Sequence, residues 1–288
     1  MAIVVLSALR TFEGGAAIVT REPESYDPPL NLYASVGRVL LHYLRDTGRA
    51  ILMLLEAAWH SRTMFKPRMV HEIFGQMYNY GIKSLGVITV VGLFIGMILA
   101  LQTGLELRRF GMQSNIGTTV TVVMLREMGP FMTALIVAAS VGSAIAAQLG
   151  TMVVAEEIAA LEIMSINPVR FLVMPRLVAL TLMMPLLTAY TSLIGVLGGA
   201  IVGATQLEVS YTAYFDNALL YAGNKDLYVG LFKAWLFGVV ITTVACHQGF
   251  STTEGAVGVG QSTRRTVVIS FLTILIFGYI VTRLFYSD

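Results

Sequence analysis

Charges fall along this chain in clusters, and the uncharged intervals between them locate its elements. Lys83 and Glu106 bracket the first clean stretch, Ser84 to Leu105. Beyond Glu127 no charge occurs until Glu156, and Arg176 and Glu208 bracket Leu177 to Leu207. Lys233 opens a fourth stretch that reaches Thr253, and Thr266 to Thr282 makes a shorter fifth. A helix needs about 20 predominantly apolar residues to cross a bilayer core about 30 Å thick. The pattern therefore predicts five transmembrane helices within residues 83–288.

A different pattern precedes them. Arg38, His42, Arg45, Arg49, Glu56 and His60 recur at three, four or seven residues and share one helical face. Val36, Leu40, Leu44, Ile51, Leu55 and Trp59 fall elsewhere on the same helix. Ala34 to His60 is too polar to span, and such a helix suits the plane of a membrane interface or the surface of a protein. Residues 34–82 are assigned to an interfacial amphipathic helix region. Residues 1–33, with Pro23, Pro28 and Pro29, are expected to be an irregular lead-in. Met1 to Leu9 has no basic residues before it and no small-residue cleavage site, so a signal peptide is not expected.

Composition agrees with this division. Hydrophobic residues make up 56% of 288 residues and charged residues 12%, with mean hydropathy +0.75. Soluble domains carry about 25% charged residues, so the fold class expected is an all-α integral membrane protein. The net charge of +2, with no basic run, gives no basis for nucleic-acid binding. Orientation follows from the tendency of Lys and Arg to collect on the cytoplasmic side. Arg38, Arg45, Arg49, Arg62, Lys66, Arg68 and Lys83 put the N-terminus inside, and Arg170, Arg176, Arg264 and Arg265 mark two further inside loops. Five spans then place the C-terminus outside.

Two lines of small residues at four-residue spacing stand out: Ala138, Gly142, Ala146 and Gly150, and Gly195, Gly199 and Gly203. Such lines let helix backbones approach closely in lipid, so Gly142, Gly150, Gly195, Gly199 and Gly203 are expected to pack helices, within the chain or across a dimer. Cys246 sits in an apolar run and reads as core packing.

Charges within spans cost about 2.5–3.5 kcal/mol on insertion scales and are candidates for function. Arg126 and Glu127 occur in Arg-Glu-Met-Gly-Pro, and Lys233 sits between Gly230 and Ala234 in an apolar run. They either neutralise one another in a shared polar cavity or snorkel to the outer headgroups. Between the second and third spans, Val154 to Ile166 interleaves Glu156, Glu157 and Glu162 with Ile158, Leu161, Ile163 and Met164, and Asn167-Pro168 ends any helix there. A short acidic amphipathic helix of this kind suits docking in a partner's groove. Gly255, Gly258 and Gly260 have no strand before them and no Lys-Ser/Thr after, so they form no nucleotide loop, and the chain is not expected to hydrolyse ATP.

The run Arg126 to Pro130, then Val141 to Ala147 and Leu149 to Met152, resembles the MlaE-type permeases. So do Glu156 to Met164 and Asn167 to Val173, and later Cys246, Gly249, Thr252, Gly255-Ala256, Gly258 to Gly260, Thr263 and Val267-Val268. The resemblance covers about Ala34 to the C-terminus and implies a permease subunit of an ABC transporter working with MCE-domain proteins on lipids. It implies a homodimer with a lipid cavity between protomers, near Arg126, Glu127 and Lys233. It also implies two cytoplasmic ATPase subunits that use ATP and Mg, a periplasmic MCE-domain hexamer, a phospholipid substrate, and a bacterial inner membrane. No cofactor is expected on this chain itself. Val154–Ile166 becomes the cytoplasmic coupling helix, with Glu156, Glu157, Ile158, Leu161 and Glu162 as its ATPase-coupling residues. The chain departs from the family pattern at Ala139-Ser140 (Gly-Arg), Gln148 (Glu), Val153 (Lys) and Ala159 (Asp), and at Glu254, Val257 and Arg264. The rival reading, a stand-alone secondary transporter or channel using intramembrane charges, would call for inverted repeats or several buried carboxylates.

Overall fold

A computed structural model describes residues 32–60, 67–221 and 223–286, and among these every regular element is helical. The helices are α1 (Leu32–His60), α2 (Pro67–Tyr80), α3 (Leu85–Arg109), α4 (Ile116–Val123), α5 (Gly129–Val137) and α6 (Ser143–Val154). They continue as α7 (Glu157–Ile163), α8 (Met174–Gln206), α9 (Tyr211–Tyr221), α10 (Asn224–Phe250) and α11 (Gly255–Tyr286). The chain divides into two units, residues 1–46 and 47–288. Of the first, Leu32 to Asp46 are helical, and the expected lead-in of residues 1–33 lies almost wholly outside the described residues.

Within the second unit five segments are long and apolar enough to cross a membrane: Met69–Arg109, Gln113–Val154, Val169–Gln206, Asn224–Phe250 and Gly255–Tyr286. Their number is the number read from the charge intervals, and their limits are wider. Met69–Arg109 takes in α2 as well as α3, joined through a single 3-10 turn at Ile82–Ser84. The second segment runs unbroken past Arg126 and Glu127, because those charges sit in a π-helical turn, Met124–Met128, that keeps α4 and α5 in one path. A second π turn, Ala138–Gly142, joins α5 to α6.

The first and third spans approach closest. Gly92, Gly96, Ala100 and Gly104 form a buried line on α3, and a Cβ at Gly96 would overlap the carbonyl oxygen of Gly195 on α8. A Cβ at Gly92 would lie 3.2 Å from Thr191. This line has the same four-residue spacing as the two noticed in the sequence, and it supplies the other half of the α8 contact. Gly195 faces Met124 and Gly92, and Gly199 faces Tyr214 and Val120. Gly203 also lies against Tyr214, Gly142 faces Ile241 of α10, and Gly150 faces Thr252. All five glycines are therefore covered by other parts of the same chain.

The main core joins the middle of the spans, from Ala134, Val141 and Ile145 through Leu180, Met184 and Leu187 to Phe237, Ile241 and Ile274. A smaller cluster, with Ala100, Ile116, Val120 and Val202, surrounds Tyr214 of α9. The Tyr214 hydroxyl donates to Val196 O at 3.2 Å, and burial pushes its pKa above the ordinary phenol range.

The second half of α1 packs into the main core through Met53 and Ala57. Its apolar residues Ile51, Leu52, Leu55 and Trp59 are more than half exposed. The side chains of Arg38, His42 and His60 lie outside the described residues. The buried seam of this half is thus formed by Met53 and Ala57, while Ile51, Leu55 and Trp59 of the apolar stripe face outward. Thr133 Oγ1 and Thr191 Oγ1 lie 2.7 Å apart in the buried centre, each also within reach of a carbonyl of its own helix, so one hydroxyl donates to the other and the second donates to its own backbone. This satisfies polar atoms that would otherwise destabilise a lipid-embedded core.

The α3–α8 contact generates a direct expectation. Gly96→Ala should destabilise the detergent-solubilised protein by about 1–3 kcal/mol, the usual effect of overpacking. Gly86→Ala, on the same helix with open space around it, should be neutral or slightly stabilising by helix propensity. Thermal unfolding of the two variants side by side checks this, and equal melting temperatures would remove the close approach as a stabilising contact.

Candidate functional site

The local geometry starts from Pro130. Proline has no N–H, so the carbonyl four residues earlier, that of Arg126, loses its helical donor. The helix widens at this point: Gly129 N–H reaches back to Met124 O, and Ser192 Oγ of α8 donates to the same carbonyl at 3.3 Å. The freed Arg126 carbonyl is taken by a side chain instead. Lys233 Nζ of α10 donates to it at 3.0 Å.

Lys233 is 1% exposed, the most buried charged side chain among the described residues. An ammonium has three N–H donors, and each has an acceptor here. Besides Arg126 O, they are Glu127 Oε1 at 2.7 Å and Thr282 Oγ1 of α11 at 2.7 Å. Thr282 donates in turn to Glu127 Oε1 at 2.9 Å. Three spans are tied together by one nitrogen atom.

Beside this knot lies a second pair. Arg126 Nε and Nη2 reach Asp226 Oδ1 at 3.0 and 2.8 Å, and Tyr286 Oη donates to the same oxygen at 2.6 Å. The Arg126 guanidinium also lies 4.0 Å from the centre of the Tyr286 ring, a cation–π arrangement. The cluster holds two cations and two carboxylates and is electrically neutral. Its burial is uneven: Lys233 and Asp226 are enclosed, whereas the Arg126 and Glu127 side chains are 35% and 38% exposed. Arg126 uses two of its five donors on Asp226, and its side chain is partly exposed.

The structure thus brings together Arg126, Glu127 and Lys233, the three span charges picked out from the sequence. It adds Asp226, Thr282 and Tyr286, which sequence reasoning missed. A signal for Asp226 was present. It precedes Lys233 by seven residues, two helical turns, and so shares its face. Thr282 and Tyr286, four residues apart on the last turns of α11, had no comparable mark.

Between α5, the second π turn and α11 is an apolar cavity of about 340 Å³, lined by Leu135, Ala138, Val267, Val268, Phe271 and Leu272. Far from the charge cluster along the sequence, α7 is a seven-residue helix between two non-glycine residues in left-handed conformation, Glu156 (φ 58°) and Ser165 (φ 59°). These turns reverse the chain and present the helix sideways. Ile158 and Leu161 are half-buried against the core, while Glu156, Glu157 and Glu162 are exposed. Ile163 is 85% and Met164 60% exposed. Asn167 Nδ2 donates to Glu56 Oε1 of α1 at 2.7 Å, so α1 is linked to the segment that follows α7.

A bundle with five helical segments apolar enough to span, in which Arg126, Glu127, Lys233 and Asp226 neutralise one another, suits a multi-pass membrane protein. Residues 73–284 match the family described as Permease MlaE, and the chain belongs to that family. It is 37% identical over 258 residues to a probable ABC transporter permease protein of Rickettsia felis, covering 90% of this chain and 99% of that one. It is 33% identical over 264 residues to the intermembrane phospholipid transport system permease protein MlaE of Haemophilus influenzae, covering 90% and 98%. A chloroplastic Arabidopsis thaliana protein, TRIGALACTOSYLDIACYLGLYCEROL 1, is 31% identical over 83% of this chain and 66% of its own length.

Removing either partner of the central pair should have unequal effects. Glu127→Ala leaves a charged ammonium buried without a counter-ion, which costs about 3–5 kcal/mol. Lys233→Met leaves the Arg126 carbonyl without a donor, about 1–3 kcal/mol, while Glu127 keeps Thr282 and an open side. Thermal unfolding of the two single variants and the double variant measures the asymmetry. The double variant should be less destabilised than the sum of the singles, and strict additivity would mean the pair is not coupled.

Proposed function

We propose that this chain is the membrane permease of an ATP-driven phospholipid transporter. In this reading it forms a homodimer in a bacterial inner membrane, with its N-terminus cytoplasmic and its C-terminus periplasmic. Two cytoplasmic ATPase subunits bind and hydrolyse ATP with Mg, and a periplasmic hexamer of MCE-domain subunits receives or delivers the lipid. The observation that carries the reading is the neutral charge cluster of Arg126, Glu127, Lys233 and Asp226 within a chain of the MlaE permease family.

The chemistry divides within that cluster. Lys233 has no spare donor, so it holds the spans in register. Arg126 has donors beyond the two on Asp226 and a partly exposed side chain, which suits it to meet a lipid phosphate at a cavity between the protomers. The apolar slot lined by Leu135, Phe271 and Leu272 is of a size and character to take part of an acyl chain. A transport step then needs this pocket to differ in lipid affinity between two states of the dimer. Because Lys233 joins the π turn Met124–Met128, α10 and α11, relative movement of these segments would change how far Arg126 and Glu127 are open.

The acidic helix α7 supplies the link to ATP hydrolysis. Ile158 and Leu161 are engaged with the bundle, so the docking face is the exposed remainder, with Ile163 and Met164 between the flanking carboxylates of Glu157 and Glu162. An apolar side chain as exposed as Ile163 is suited to a groove on the ATPase. The exposed apolar stripe of α1, with Ile51, Leu55 and Trp59, is suited to the inner membrane interface.

The test is to co-express the permease with its ATPase and measure lipid-stimulated hydrolysis in reconstituted membranes. Ile163→Asp should reduce ATPase co-purification and stimulated hydrolysis by about tenfold, the loss of roughly 1.4 kcal/mol of docking energy, with the melting temperature unchanged. Failure of any ATPase to co-purify with the unaltered chain, or lipid transport indifferent to Arg126→Gln, would sink this reading and favour a stand-alone transporter.

A further inference from the structure

The bundle contains a second buried cation that takes no part in the charge cluster. Arg176, in the first turn of α8, is 7% exposed. Its Nη1 donates to Leu172 O at 2.7 Å and its Nη2 reaches Gln148 Oε1 of α6 at 3.5 Å, while its Nε has no acceptor. Both acceptors are neutral, and among the described residues no carboxylate forms an ion pair with it. The Tyr80 hydroxyl, also buried, lies beside the same guanidinium without a geometrically adequate bond of its own. Buried charges in membrane proteins pair with one another or with backbone carbonyls. Arg176 has the Leu172 carbonyl but, among the described residues, neither a carboxylate nor an acceptor for its Nε, which leaves donors for an anionic group.

Such a group has room. Arg176 lines a cavity of about 300 Å³ with Met69, Glu72, Gln76, Phe171, Leu172 and Pro175. The cavity lies between α2 and the start of the third span. It is far along the bundle from Lys233: Gln148, which Arg176 reaches, lies 21 residues beyond Glu127 in the same helical segment, about 30 Å at 1.5 Å per residue. Its lining is graded, with a cation in the depth, apolar Met69, Phe171 and Leu172 on the walls, and the exposed carboxylate of Glu72, held by Gln76 Nε2 at 2.9 Å, at the rim.

We infer that this cavity binds the phosphate of a membrane phospholipid, with Arg176 as its counter-ion. Guanidinium recognises phosphate through paired N–H donors, and basic pockets between membrane helices take lipid headgroups. The rim carboxylate of Glu72 selects a headgroup that carries an amine, so that phosphate meets Arg176 and ammonium meets Glu72. The bound lipid belongs to the leaflet on the α7 side and wedges α2 against α8. This site is separate from the Arg126 cluster and does not depend on the transport reading.

The test uses the full chain, purified and reconstituted in nanodiscs containing phosphatidylethanolamine and phosphatidylglycerol, with retained lipid counted by native mass spectrometry. Gln148→Glu is the primary variant, since it is nearly isosteric and places an internal carboxylate beside Arg176. It should lower retention at this site about tenfold, the loss of one charge-assisted contact. Arg176→Gln is the second variant and should do the same. Glu72→Gln should remove the preference for phosphatidylethanolamine over phosphatidylglycerol. Retention by Gln148→Glu equal to that of the unaltered chain overturns the site. Equal retention of the two lipids by the unaltered chain overturns the role of Glu72. Displacement of the lipid by millimolar inorganic phosphate overturns the lipid assignment in favour of a free phosphate site. Loss of ATPase coupling in Ile163→Asp leaves every one of these measurements readable, so the two readings fail separately.

Discussion

A lysine ammonium enclosed in a helix bundle needs an acceptor for each of its three hydrogens and a negative charge nearby. Much of this protein is arranged around that requirement. Pro130 frees a backbone carbonyl at Arg126 by failing to donate to it. Lys233 fills that vacancy from another span, and Glu127 and Thr282 complete its shell. A defect in one helix and a charge in another thus satisfy each other. The π turn that results aims Arg126 at Asp226 and Tyr286, which draws the beginning of α10 and the end of α11 to the same place.

The same logic, a polar group satisfied by a neighbouring helix, recurs where no charge is involved. Ser192 covers the Met124 carbonyl, and Thr133 meets Thr191 in the centre of the bundle. Between these points the spans pack through small residues, because helices in lipid gain little from hydrophobic burial and must come close to profit from dispersion. The contact of Gly96 with Gly195 is the tightest expression of it. Specific polar contacts set the register, and glycine lines allow the backbones to reach it.

Much of this was legible from residue order. The charge-free intervals located five spans because a bilayer core excludes unpaired charge, and the Arg-Glu-Met-Gly-Pro run singled out the π turn without disclosing it. The limits of the second span were less legible. Arg126 and Glu127 interrupt the apolar pattern as a loop would, yet the helix continues because both side chains find partners on other spans. The division of α7 was also hidden. Its seven residues alternate too briefly to show that Ile158 and Leu161 turn inward while Ile163 turns outward. Asp226 could have been found from its two-turn spacing to Lys233, whereas Arg176 looked like any positive charge at the end of a span.

By itself the sequence determined that the chain carries five segments apolar and long enough to cross a membrane, which family it resembles, and which few charges stand apart from the loops. These are properties of composition, spacing and motif, each readable one residue at a time. Only the tertiary structure decided the pairings: Lys233 with Glu127, Arg126 with Asp226, and Arg176 with no carboxylate among the described residues. The reason is physical. Whether a charge serves the fold or remains available to a ligand depends on how many of its hydrogen bonds are already made, and those are made with residues about 100 positions away.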